Sequence, residues 1–222
     1  MPFSLFDPVR RPPVVIRPQV YAPAPKPVNI HVVTARRDAP AGLRLRPGQA
    51  ETFALPLANS EDAPQILAYL HSLAQQFSRS PYIREFTVAR VLAPARVIDN
   101  DQERQIELCL EFVRRNVTYL RDPIDSEYVI SPINLLEKID ANLPAYGDCE
   151  DHCLLLNSML GAMDFPTRFV AAKINDSDVW NHVICSVYVS GRWYDLDPIA
   201  KGMMQPDYDD EDRLEGQTNY AT

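Results

Sequence analysis

From about residue 62 the apolar positions fall into helical order. Ile66, Leu67, Leu70, Leu73, Ala74 and Phe77 line one face of a 3.6-residue period. Ile83, Phe86, Ala89 and Leu92 recur every three residues and predict a second helix over 81–92. The stretch NDQERQIELCLEFVRRNVTYL offers a cap at Asn100 or Asp101 and acids in its first turn. Its apolar stripe is Ile106, Cys109, Leu110, Val113 and Val117. Pro132 to Asp140 predicts a short helix and 149–163 a longer one. The period then shortens. FPTRFVAAKI and VWNHVICSVYV read as strands, and WYDLDP completes a hairpin across Ser190-Gly191.

Both ends lack this order. Eight of the twenty prolines fall in residues 1–30. Proline fixes φ and has no N–H to donate, so this stretch reads as extended rather than as a packed layer. Its short apolar runs, Val14 to Ile16 and Ile30 to Val33, could add as edge strands to a neighbour. The chain thus divides into a Pro-rich arm over 1–58, a domain over 59–204 with its core at 100–200, and an acidic tail over 205–222. The tail's run from Asp207 to Glu215 reads as solvated.

Charge sharpens the division. Of 22 Lys and Arg residues, eight lie in residues 1–46, against Asp7 and Asp38. The remainder carries 14 basic and 28 acidic residues. An acidic body argues against a general nucleic-acid binder, while the basic arm suits an acidic partner. No apolar run approaches a membrane span, and MPFSLFDPVRRPP lacks the apolar stretch of a signal peptide. The four cysteines are therefore expected as thiols. No internal repeat, glycine-rich phosphate loop or other cofactor motif is present.

The densest chemistry lies in GDCEDHCLLL, residues 147–156. Asp148-x-x-Asp151 resembles a capping box, which makes Cys149 the first helical residue. Helix N–H groups and the positive end of the helix dipole then favour its thiolate. Asp148, Glu150 and Asp151 act the other way, so a nucleophile here needs a nearby cation, most simply an imidazolium. Cys153 heads the series Leu156, Leu160 and Met163 and reads as core, as does Cys109. A zinc site would require Cys149, Cys153, His182 and Cys185. His182 and Cys185 are three apart on a strand and face opposite ways, which disfavours it.

A two-residue turn at Ser190-Gly191 pairs Val189 with Arg192, Ser186 with Asp195 and Ile184 with Asp197. His182 and Asp197 become diagonal neighbours on one face, with Cβ atoms roughly 7 Å apart. Asp195 lies a step further along. A strand histidine with a carboxylate diagonal to it, and a helix-start cysteine elsewhere, is a constellation for nucleophilic chemistry.

The segments GDCEDHCLLLNSMLGAMDFPTRFVAAK and WNHVICSVYVSGRWYDLDP resemble the transglutaminase-like superfamily. The shared pattern is a Gly-x-Cys helix start, a Gly-x-x-x-Arg-like helix end, a strand His and a Leu-Asp-Pro. FVRRNVTYLRDP and EYVISP are similar to the branch found in tailed phages and prophages. The resemblance implies a papain-like α+β core, with the cysteine helix packed on an antiparallel sheet. It implies Cys149 as nucleophile, His182 as base and Asp197 as orienting acid, acting through a thioester without cofactor or metal. Tyr119 and Trp180 are candidates for a second oxyanion donor. Cys153 departs from the pattern, which has a small apolar residue there.

Two classes of function follow. One is a cysteine amide hydrolase or transamidase acting on protein, which needs a thiol pKa lowered through His182. The other is a virion structural or assembly protein that uses the domain as a scaffold and grips virion partners, or further copies of itself, through the arm. The expected setting is a virion or host cytoplasm.

Overall fold

The computed structural model describes residues 52–55, 63–97, 101–122, 127–199 and 213–219. The expected arm lies outside these residues except for 52–55, and both of its apolar runs lie outside them. So does the acidic run 207–212.

Helix α1 (Ala63–Ser78) buries Leu67, Leu70, Leu73, Ala74 and Phe77, with Ile66 partly covered. Helix α2 (Pro81–Phe86) begins on a proline, whose missing N–H is not needed there. Beyond it the winding departs from the predicted α-helix. It widens into a π-helical stretch over Thr87–Leu92 and closes in a 3-10 turn at Ala93–Ala95. Thr87 Oγ1 donates to Ile83 O at 2.8 Å, competing for the carbonyl at the point where the ladder changes. The wider turn shifts the inward stripe, so Val91 is buried with Leu92 while Ala89 faces out. Helix α3 (Gln102–Asn116) is capped by Asp101, which accepts from Arg104 N at 3.2 Å, and buries Ile106, Cys109, Leu110 and Val113.

The chain then straightens into β2 (Val117–Tyr119). Strand β3 (Glu127–Ile130) pairs antiparallel with β1 (Thr52–Leu55), so the end of the stretch read as arm is a strand on the domain. Helix α4 (Pro132–Asp140), capped by Ser131, leads to β4 (Ala145–Gly147), which pairs parallel with β2. Helix α5 (Cys149–Ala162) follows. Strands β5 (Thr167–Ala172), β6 (His182–Val189), β7 (Arg192–Leu196) and β8 (Arg213–Glu215) form an antiparallel sheet in the order β7-β6-β5-β8.

Strand β8 corrects the reading of its residues as part of a solvated tail. Its Glu215 accepts from both terminal nitrogens of Arg168 on β5, and Arg213 Nη2 lies 3.0 Å from Asp195 on β7. The Arg168 guanidinium also stacks 4.2 Å from the Trp193 ring centroid. These partly buried pairs supply what the local sequence lacks in periodicity.

Helix α5 lies at the centre. It packs on β5 and β6 and is flanked by α1, α2, α3 and α4, and all its residues are buried. Leu154, Leu155, Leu156, Met159 and Leu160 are fully enclosed. Trimming any one of them to alanine would cost about 2–5 kcal/mol. This is the α+β core predicted from the sequence, a cysteine-headed helix on an antiparallel sheet. No helix among the described residues is long and apolar enough to cross a membrane.

Candidate active site

The β6–β7 hairpin turns on Ser190 (φ 52°) and Gly191 (φ 84°), both left-handed, which matches the right-handed twist of the strands. Its register pairs Val189 with Arg192, Ser186 with Asp195 and Cys185 with Leu196. One step on, the chain brings His182 Nε2 to 2.8 Å from Asp197 Oδ2. Both side chains are more than nine-tenths buried. A carboxylate can only accept, so Nε2 is the nitrogen that donates to it, and in the neutral ring Nδ1 keeps its lone pair.

Asp197 is held from three sides. Its Oδ1 accepts from Ile199 N at 2.8 Å. Its backbone carbonyl accepts from Arg114 Nε at 3.2 Å and Nη2 at 2.6 Å. Arg114 sits at the end of α3 and half-buries its guanidinium to make this fork. Asp195, the other acid on the same face, is engaged with Arg213.

The cysteine side is built from the cap outward. Asp148 Oδ1 accepts from Glu150 N and Asp151 N, at 3.2 and 3.5 Å. Asp151 returns Oδ2 to Asp148 N at 3.2 Å and completes the box. Its Oδ1 also accepts from Ile130 N at 2.6 Å, tying the helix start to β3. A Cβ on Gly147 would lie 2.6 Å from the Asp151 Cβ, so only glycine lets the chain enter this cap.

The first turn is enclosed: Cys149, Glu150, Asp151 and His152 are all buried. The β2–β4 and β1–β3 pairs carry it into the interior. His152 sets one ring nitrogen 2.6 Å from Asp148 O and the other 3.2 Å from Val117 O. Cys153 donates to Val183 O at 3.1 Å, which fixes this part of α5 over the start of β6, next to His182.

Cys149 Sγ donates to Glu150 Oε2 at 3.0 Å and makes no hydrogen bond to His182. Burial pushes the thiol pKa well up, and the Glu150 and Asp148 carboxylates push it further. The lowered value that the enzyme reading required is therefore absent from this resting arrangement. Burial also pushes the Asp148 carboxyl up to about 9, with Glu150 adding to the effect.

Among the described residues, one group of donor atoms is compact enough to hold a metal ion: Asp148, Cys149 and Glu150, within 4.8 Å of one another. The four residues weighed for zinc do not converge. Cys153 and Cys185 belong to the core, and His182 faces Asp197. Tyr119 stands 49% exposed. Its ring centroid lies 6.4 Å from that of His152, and its phenol pKa is raised by partial burial first and then by Cys149. Trp180 lies just before β6, partly buried, with Lys173 over its ring at 5.1 Å.

Two participants, Arg114 and His152, are not singled out in the sequence, where they read as a helix-end charge and one more polar residue. Glu150 is named there only among three acids that oppose the thiolate.

Residues 93–198 match the model of the transglutaminase-like superfamily. The span takes in Cys149, His182 and Asp197. A crystal structure from Parabacteroides distasonis, described as a candidate protease, is similar at 16% identity and a TM-score of 0.38. The match covers 59% of this chain and 26% of that one, so this chain spans about a quarter of its length. No curated protein is a significant match to the chain.

Proposed function

We propose that the chain is a cysteine acyltransferase acting on protein amides, with Cys149 as nucleophile, His182 as base and Asp197 as orienting acid. The observation that carries this is the buried His182–Asp197 hydrogen bond, 2.8 Å long, at the start of β6, where Cys153 of the helix headed by Cys149 bonds Val183 O. Asp197 fixes the imidazole so that Nδ1 can take the thiol proton. The sulfur pair then forms the C–S bond, and the carbonyl π pair moves to oxygen. The cap uses the N–H groups of Glu150 and Asp151, which leaves the Cys149 N–H for the oxyanion. Tyr119, half exposed and with its phenol pKa raised in part by Cys149, suits the second donor better than Trp180. The proton on His182 passes to the leaving amine, and water or an amine opens the thioester.

The test is acylation by an activated ester, followed by peptide-level mass spectrometry. The expected result is modification of Cys149 ahead of Cys109 and Cys153, slowed about a hundredfold or more by His182→Ala. Equal labelling of all three thiols, or an unchanged rate in His182→Ala, would overturn the reading.

One observation favours a second reading. The thiol is buried and bonded to a carboxylate, as in a domain kept for its shape. In that reading the chain is an assembly protein of a phage or prophage particle, and the basic arm makes the contacts. Deleting residues 1–46 would then abolish assembly, while Cys149→Ala would leave it intact.

A further inference from the structure

We propose that Glu150 is a positioning residue for the reacting sulfur: its carboxylate accepts the Cys149 S–H and holds the thiol off His182, so attack begins only when this contact opens. The proposal rests on the acyl-transfer reading above.

Neighbouring residues on a helix do not face each other, so a side-chain bond between positions 149 and 150 is not a product of helix geometry. It needs one particular rotamer of each residue, and enclosure of the first turn holds both in place. Cys149 is 9% exposed and Glu150 7%. The carboxyl also bonds the Asp148 side chain, so Glu150 links the cap to the sulfur.

The groups facing this contact come from three sides. On α5 itself they are Asp148, Asp151 and His152. From β2 and the chain after it come Tyr119 and Asp122. From the sheet, Asp197 acts on His152 and Cys153, and His182 adjoins Val183, whose carbonyl accepts from Cys153 one turn along α5. Neither imidazole bonds to the sulfur: His152 spans two backbone carbonyls, and His182 Nε2 is turned to Asp197. No cation is bonded to the sulfur, and the thiol pKa is raised first by burial and then by the Glu150 and Asp148 carboxyls.

Opening the contact changes the balance. The S–H turns from Glu150 to His182 Nδ1, the proton transfers there, and the sulfur pair is free to attack carbon. Glu150 neither gains nor loses a proton overall.

The experiment is iodoacetamide alkylation of each cysteine against pH, read by peptide mass spectrometry, in wild type, Glu150→Gln, and Glu150→Gln with His182→Ala. Glutamine keeps the shape and removes the charge. Cys149 in Glu150→Gln is expected to alkylate about tenfold faster at pH 7.5, its pH curve displaced by about one unit to lower pH. A rate equal to or below wild type overturns the proposal. If the gain appears but survives His182→Ala, the role of Glu150 stands and the triad reading falls. Should Glu150→Gln misfold, Cys109 and Cys153 will react too, and the S–H stretching band of the wild-type protein decides. Identified by difference from Cys149→Ala, the band is expected at a hydrogen-bonded frequency. A band at the free-thiol position overturns the proposal.

Discussion

The two halves of the site are in different states of readiness. On the sheet side, His182 and Asp197 are bonded, buried and braced by Arg114 and Ile199. On the helix side, Cys149 is equally buried, but its thiol is given to Glu150. On the acyl-transfer reading, the base and its acid are in place while the nucleophile is withheld. The contrast teaches that alignment and activation are built by different means. Alignment comes from strand register and a guanidinium fork. Activation is opposed by burial and by the Glu150 and Asp148 carboxyls in one enclosed turn.

The sheet side should break hardest. Asp197→Asn keeps the side-chain shape but lets the amide present a donor to His182. It is expected to slow acyl transfer by about 10²–10⁴, with the fold intact by circular dichroism. A loss of less than threefold would mean that the His182–Asp197 bond is only structural.

Arg114 gives a finer cut. Arg114→Met removes the fork on the Asp197 carbonyl without touching the carboxylate. About a tenfold loss of rate is expected, or ~1.4 kcal/mol, with the acidic limb of the pH–rate profile displaced. Arg114→Lys should recover part of it by returning one donor. An unchanged pH–rate profile would leave Arg114 as a packing residue.

The smallest effect lies on the helix side and concerns stability. The Asp148 carboxyl is raised from an ordinary 3.8 to about 9, chiefly by burial. Between those values the folded chain binds more protons than the unfolded one. Stability therefore falls as pH rises through that window and levels off above it. Asp148→Asn keeps an oxygen for the cap and cannot titrate. Thermal unfolding between pH 6 and 9 should show a smaller pH-driven loss of stability in Asp148→Asn than in wild type. Parallel curves would show that Asp148 is ionised in the fold.

The same division governs what the sequence made legible. A two-residue turn and a period of two fix the register of β6 on β7, so the meeting of His182 with Asp197 rather than Asp195 could be counted out from Ser190-Gly191. The capping box placed Cys149 at the first position of α5 for a similar reason, since both signals are local. The enclosure of that first turn was not legible. It depends on Val117 pairing with Ala145 and Thr52 with Ile130, contacts between distant segments with no period to announce them. Arg114 was hidden likewise, because the carbonyl it grips lies 83 residues further on. The π-helical stretch escaped because apolar spacing by three suits an ordinary helix equally well. Strand β8 escaped because its pairing is carried by Arg168–Glu215 and Arg213–Asp195, not by hydrophobic alternation.

The place of α5 at the centre of the molecule bears on how fast the site can switch. Neighbours on every side hold the helix, and the box through Asp151 ties its first turn to β3, so its backbone cannot shift without disturbing the core. What can move is the torsion that aims the Cys149 sulfur and the rotamers of Glu150. Such rotations run on picoseconds to nanoseconds when a side chain is exposed, and slow when it is packed, yet they stay far faster than a lid or domain motion. On the acyl-transfer reading, the nucleophile would be released many times within one catalytic cycle. The pace of the reaction would then be set by the fraction of time the sulfur spends facing His182, not by waiting for the protein to open.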